Sequence, residues 1–139
     1  MENKGRLLDT LNESLKLEYS MIIYYPLINS AIHDPEIKKM VNILGVVSIK
    51  HADTLADAIT ALGGIPQWDF EPAPEEIDLK KIFLLQMDKE KMALKLHTES
   101  ANMTTDVSLK AKFEHIAQQE KEHIALVDNI LALLDQGKS

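Results

Sequence analysis

The chain contains no cysteine, and that absence removes a whole group of chemistries. Disulfides, thiolate zinc sites, iron–sulfur clusters and cysteine nucleophiles are all excluded. Glycine and proline are sparse, at five each in 139 residues, and aromatics make up only 5%. Leu, Ile, Ala, Lys and Glu dominate instead, a balance that favours helices over sheets. No apolar run is long enough to span a bilayer. The N-terminal stretch MENKGRLLDTLNESLKLEYS lacks the continuous apolar core of a signal peptide. Positive charge is in deficit: the formal net charge is -7. An acidic surface argues against nucleic acid and anionic membranes and suits attraction of cations, although plain solubility explains it as well. We therefore expect a soluble cytoplasmic protein, and the length suits a single domain over residues 1–139.

Apolar residues recur at steps of three and four in four long segments, the period of amphipathic helices. The first is expected over Leu7 to Ile32, with an inward stripe of Leu8, Leu11, Leu15, Glu18, Ile22 and Tyr25. Pro26 lies inside it and predicts a kink. Asp34 then serves as N-cap, and Pro35 as first residue, of a second helix running to Leu62. Its stripe is Ile37, Met40, Leu44, Val47, His51, Leu55, Ala58 and Leu62, and Gly63 and Gly64 end it. A third helix is expected from Glu75 to Thr104, with Phe83, Met87, Glu90, Leu94, His97 and Ala101 inward. A fourth follows an Asp106 cap and runs to Asp135, with Phe113, Ile116, Glu120, His123, Val127, Leu131 and Leu134 inward.

Residues 65–74, IPQWDFEPAP, carry three prolines and read as an extended crossover. A dozen extended residues span about 40 Å, the length of such a helix at about 1.5 Å per residue. The second and third helices can therefore run parallel, in an all-α four-helix bundle with one long crossover. Trp68 and Phe70 are expected to anchor that segment, with a dimer contact as the alternative.

Each stripe makes one kind of exception. Glu18, His51, Glu90 and the pair Glu120/His123 interrupt otherwise apolar faces near the middle of their helices. Desolvating an unpaired carboxylate costs several kcal/mol or more, so these residues need partners. Four helices with the same exception at the same depth suggest a shared buried metal. Glu120-Lys-Glu-His123 places a carboxylate and an imidazole three apart on one helix face. That donor chemistry suits iron, manganese or zinc rather than calcium or copper(I).

The stretches Leu11-Asn-Glu-Ser-Leu-Lys-Leu-Glu18, Tyr24-Tyr25, Ile49-Lys-His-Ala-Asp-Thr-Leu55, Leu62-Gly-Gly-Ile-Pro66 and Gln119-Glu-Lys-Glu-His-Ile124 resemble bacterioferritins and their relatives. The last is also similar to rubrerythrins. The resemblance implies a ferritin-like four-helix bundle binding two irons. It assigns metal roles to Glu18, His51, Glu90, Glu120 and His123, with Glu120 bridging and Tyr25 as a further redox or hydrogen-bonding candidate. It implies ferroxidase or peroxide-scavenging oxidoreductase chemistry, and a homodimer is the oligomer we favour.

The departures are specific. The family's second-helix motif is Glu-x-x-His, but here it is Ser48-Ile-Lys-His51, so a bridging carboxylate is missing. Ile49 stands where bacterioferritins carry a haem-ligating methionine, so no haem is expected by that route. The short fifth helix of cage-forming ferritins is also lacking, which argues against a storage cage. His97 lies about 10 Å along the axis from Glu90 and could assist the site, but reads first as a hydrogen-bonded or partly exposed histidine. Two other outcomes stay open at this point: a mononuclear metal-binding or carrier protein without turnover, and an unmetallated interaction module.

Overall fold

The computed structural model describes residues 3–139. Four helices follow one another: α1 Lys4–Ser30, α2 Pro35–Ala61, α3 Leu79–Met103 and α4 Val107–Asp135. No strand occurs among the described residues. Each helix begins where a short polar side chain takes up an orphan backbone N–H. Asn3 accepts from Arg6, Asp34 from Ile37, Asp78 from Lys80 and Asp106 from Leu109. Such caps each stabilise by about 1 kcal/mol. α2 and α4 end in paired reverse bonds over a glycine of positive φ. Gly64 N–H bonds Ile59 C=O and Gly63 N–H bonds Thr60 C=O, with Gly63 at φ 85°. Lys138 and Gly137 repeat that pattern on Leu133 and Leu134.

Two expectations shift. α3 starts at Leu79 rather than Glu75, so the crossover extends beyond 65–74 to Asp78. The cause is local: the Glu76 carboxylate accepts the N–H groups of Ile77 and Asp78, and Asp78 then caps the helix. α1 starts at Lys4 and ends at Ser30 rather than running from Leu7 to Ile32, with Pro26 inside it and facing solvent.

α1 packs on α2 and α3, and α4 packs on α3 and α2, so α1/α4 and α2/α3 are the diagonals. Side chains set the directions. Thr10, Glu18 and Tyr25 of α1 meet Met103, His97 and Glu90 of α3 in descending order, so these helices are antiparallel. Glu18 meets His51 while Tyr25 lies against Gly45, so α1 and α2 are antiparallel as well. α2 and α3 therefore run parallel, and the crossover must travel the length of the bundle. It does so along α1: Asn12 bonds Ile65 and Gln67, and Ser20 Oγ accepts the Glu71 N–H. Trp68 and Phe70 both stand edge-on to Tyr19, at 5.5 and 5.9 Å between ring centroids, and remain about half exposed.

The interior is layered. One apolar cluster gathers Tyr24, Ile28, Ile37, Leu44, Phe83 and Ile130 near the α1–α2 turn. A second gathers Leu7, Leu11, Leu55, Ile59, Leu109 and Phe113 at the opposite end. Between them lie fully buried Glu18, Ser48, Glu90, His97 and Glu120, with His51 and His123 scarcely more exposed. Burying this many ionisable groups is costly unless they are paired or hold a metal.

Candidate metal centre

The polar layer is built one helix at a time. α1 contributes Glu18, α2 His51, α3 Glu90 and His97, and α4 Glu120 and His123. Their donor atoms form two groups in which all members lie within 4.8 Å of one another: Glu18, His51, His97 and Glu120, and then Glu90, Glu120 and His123. Glu120 belongs to both. Its Oε1 lies 3.0 Å from His51 Nδ1, and its Oε2 lies 3.7 Å from His123 Nδ1.

The first group is held tightly. His51 Nδ1 is 3.2 Å from Glu18 Oε1, while His51 Nε2 is 2.8 Å from Gln119 Oε1. With Nε2–H donating to the Gln119 carbonyl, the imidazole turns Nδ1 toward the carboxylates. A histidine that binds metal is oriented in the same way. His97 Nε2 approaches Glu18 Oε1 at 3.1 Å and Glu120 Oε1 at 3.6 Å. In the second group, His123 Nδ1 faces Glu90 Oε2 at 3.4 Å. Glu90 is fixed through its other oxygen, which accepts the Tyr25 hydroxyl at 2.7 Å.

Electrostatics follow from this packing. Burial alone would raise the Glu18 carboxyl, but hydrogen bonds with His51 and His97 outweigh it and lower its pKa to about 2. Burial would lower the His51 pKa, yet Glu120 and Glu18 raise it to about 10. His97 and His123 shift upward against burial for the same reason, His97 through Glu120 and Glu18, His123 through Glu90. Burial pushes Glu90 up to about 7, with neighbouring Glu120 adding to the rise and His123 opposing it. Tyr25 is held well above the usual phenol range by burial and by Glu90.

The residues fit a metal. Glu18 Oε2, Glu90 Oε2, Glu120 Oε2, His97 Nδ1, and both ring nitrogens of His123 are buried without a hydrogen-bond partner. Orphaned buried polar atoms are rare in folded proteins, and a cluster of them that converges needs a reason. Imidazole with carboxylate is the donor chemistry of iron, zinc and manganese sites. Three carboxylates carry three negative charges, so one dication leaves the layer at one negative charge and two leave it at one positive. Ser48, three residues before His51 and fully buried, has an unpartnered hydroxyl where a fourth carboxylate would balance two dications.

All five residues singled out in the sequence, and Tyr25, come together in this layer. His97 belongs there too. It is hydrogen-bonded as expected, but it is wholly buried rather than partly exposed. Its spacing from Glu90 concealed it, because the layer has two levels. Glu18 and His97 lie level with His51, and Tyr25 and Glu90 lie level with His123. Glu120 joins the levels. His33 and His115 lie outside, exposed at the surface.

A model of the ferritin-like domain matches residues 8–137. Solved structures share the fold along nearly the whole chain. Ferritin-like, diiron-carboxylate proteins from Bacillus anthracis str. Ames align at TM-score 0.83 and 22% identity, over 94% of this chain and 99% of that one. The bacterioferritin-related protein from Bacteroides fragilis, a dodecameric thioferritin, aligns at TM-score 0.84 and 20% identity, over 97% and 89%. Rhodobacter capsulatus bacterioferritin, with a metal-free dinuclear site and haem iron, aligns at TM-score 0.77 and 24% identity, over 98% and 89%. Comparison with curated proteins finds no match.

Proposed function

The chain belongs to the ferritin-like domain family, and on that premise we propose that its polar layer binds Fe(II) at two adjoining positions and oxidises it. Glu18 and His51 serve one position, Glu90 and His123 the other, and Glu120 bridges. The observation that carries this reading is the convergence of unpartnered donors, above all Glu90 Oε2 facing His123 Nδ1, around a carboxylate whose two oxygens are divided between the groups.

Iron is the substrate here. Two Fe(II) each give up one electron. Dioxygen with two protons leaves as hydrogen peroxide, or hydrogen peroxide with two protons leaves as two waters. Two ions held side by side allow the two electrons to be delivered together. The protein's part is positional. Gln119 fixes the His51 tautomer, and Tyr25 holds Glu90 so that its second oxygen stays free. The apolar clusters on either side exclude bulk water.

Anaerobic Fe(II) titration followed by oxygen exposure tests the proposal. Two irons per chain and an oxygen-dependent ferric absorbance are expected, and iron binding without any oxygen- or peroxide-dependent oxidation would refute turnover. One observation favours a second reading, a mononuclear carrier. Ser48 leaves three carboxylates, enough negative charge for one dication and one short of neutralising two. One metal per chain with thermal stabilisation and no oxygen consumption would select it.

The acidic surface supports a cytoplasmic protein without nucleic-acid partners, and no described helix is long and apolar enough to cross a membrane. Exposed Leu27, Ile43, Val46 and Ile49 on α1 and α2 support a homodimer, which sedimentation would check.

A further inference from the structure

We infer that His97 makes the two metal positions unequal: Glu18, His51, His97 and Glu120 form a retaining cradle for a divalent transition-metal ion, and Glu90, Glu120 and His123 form the exchangeable position. The inference rests on the reading that this layer binds metal, and it assigns each position a different task.

The first argument is donor count. Glu18, His51, His97 and Glu120 offer two imidazoles and two carboxylates within 4.8 Å, and Glu90, Glu120 and His123 offer three donors. Four protein donors complete the shell of a four-coordinate ion such as zinc, whereas three leave a position for an outside ligand. Ser48 removes a donor from the layer and His97 supplies one, so the count is maintained while a negative charge becomes a neutral ring.

The second argument is connectivity. The four-donor group draws one residue from each helix, so an ion there ties all four together. The three-donor group draws on α3 and α4 alone. An ion that ties four helices leaves only by giving up ligands on all four, whereas departure from the three-donor group gives up ligands on two.

The third argument is support. His51 is locked by Gln119 through its far nitrogen, and His97 is enclosed completely. The far nitrogens of His97 and His123 have no partner, so of the three rings only His51, in the four-donor group, is oriented from behind. Ligands held from behind bind more tightly, typically about 10- to 100-fold.

Zn2+ and Co2+, each added alone to the metal-free full chain, test the inference. Adjacent dications repel, so stepwise binding by itself decides nothing; the identity of the position filled first does. In the Glu90→Gln variant, Gln can still accept the Tyr25 hydroxyl. The expected result is loss of the second equivalent, with the first retained and the intense visible Co2+ bands of a four-coordinate ion unchanged. In the His97→Gln variant, the first equivalent weakens by at least about tenfold and those bands diminish.

Unchanged first-equivalent affinity and bands in His97→Gln, or loss of the first equivalent in Glu90→Gln, would overturn the inference. If His97→Gln does not fold, retention or loss of the first Co2+ in Glu90→Gln settles the matter alone. Failure of the unaltered chain to bind any metal would sink the proposed function as well. Two bound ions with iron oxidation intact but no effect of His97→Gln would sink only the inequality.

Discussion

Replacing Ser48 with glutamate puts the charge argument to a direct test. The serine side chain is completely buried on the same face of α2 as His51, and its hydroxyl has no partner. Without metal, Ser48→Glu adds a fourth carboxylate to a layer whose imidazoles already pair with Glu18, Glu90 and Glu120, so the new charge has no partner of its own. An uncompensated buried charge costs about 3–5 kcal/mol. Taking about 3 kcal/mol and about 3 °C per kcal/mol at this chain length, the metal-free variant should melt about 10 °C lower. With two dications bound, the same carboxylate brings the layer from one positive charge to neutrality. A unit charge pair about 4 Å apart at an effective dielectric of 20 gains about 4 kcal/mol, most of which offsets desolvation. Recovery of the roughly 3 kcal/mol lost in the metal-free fold would tighten metal binding by about 100-fold. Circular dichroism melts in chelator and in saturating Zn2+ or Mn2+, with metal content measured alongside, give the double difference. The metal-induced rise in Tm should exceed that of the unaltered chain by about what the metal-free variant lost. Equal metal-free stability, an equal metal-induced rise and unchanged stoichiometry would show that carboxylate count does not limit the site.

Glu120→Gln should reduce metal binding at both positions at once, because its oxygens are divided between them; isothermal titration would show two weakened equivalents instead of one. The metal-free chain should lose stability as pH rises. His51, raised to about 10, contributes stability that is full below pH 6.5 and lost as pH rises through about 10. Glu90, raised to about 7, stays protonated in the fold after it would ionise in the unfolded chain, so it reinforces that decline between about pH 4.5 and 7. Glu18, lowered to about 2, contributes stability present above pH 4.5 and lost as pH falls through about 2. Urea midpoints in chelator across pH 4 to 10 would check the sign, and a midpoint rising from pH 7 to 10 would contradict it. Phe113→Ala removes a fully buried ring from the cluster beneath the four-donor group and should cost about 3–5 kcal/mol in urea unfolding.

Much of this molecule is visible in local sequence. Asp34 and Asp106 cap the helices they were expected to cap, and Gly63 ends α2 with the positive φ that a Schellman turn requires. The α3 start was misplaced because Glu75 and Glu76 look like a helical first turn. The Glu76 carboxylate instead binds its own following backbone, and Asp78 takes the cap. Buried Ser14, Gln86 and Ser100 also escaped notice, because short or neutral polar residues do not stand out from an apolar stripe as glutamate does. Ser14 bonds the Thr10 carbonyl one turn back, a satisfaction that no inter-helix pattern records.

The sequence by itself determined four amphipathic helices, the Asp34 and Asp106 caps, a crossover long enough to make α2 and α3 parallel, and a layer of Glu and His in the interior. Those properties depend on periodicity and on contacts between near neighbours in the chain. Only the tertiary structure decided that the layer has two levels, that Glu120 spans them, and that His97 meets Glu18 and Glu120 rather than the Glu90–His123 pair. Glu90 and His97 serve different levels from backbone positions two helical turns apart, roughly 10 Å, while the His51 and His123 rings of the two levels lie 5.5 Å apart. That offset depends on how four rods slide against one another, and packing of their side chains sets it.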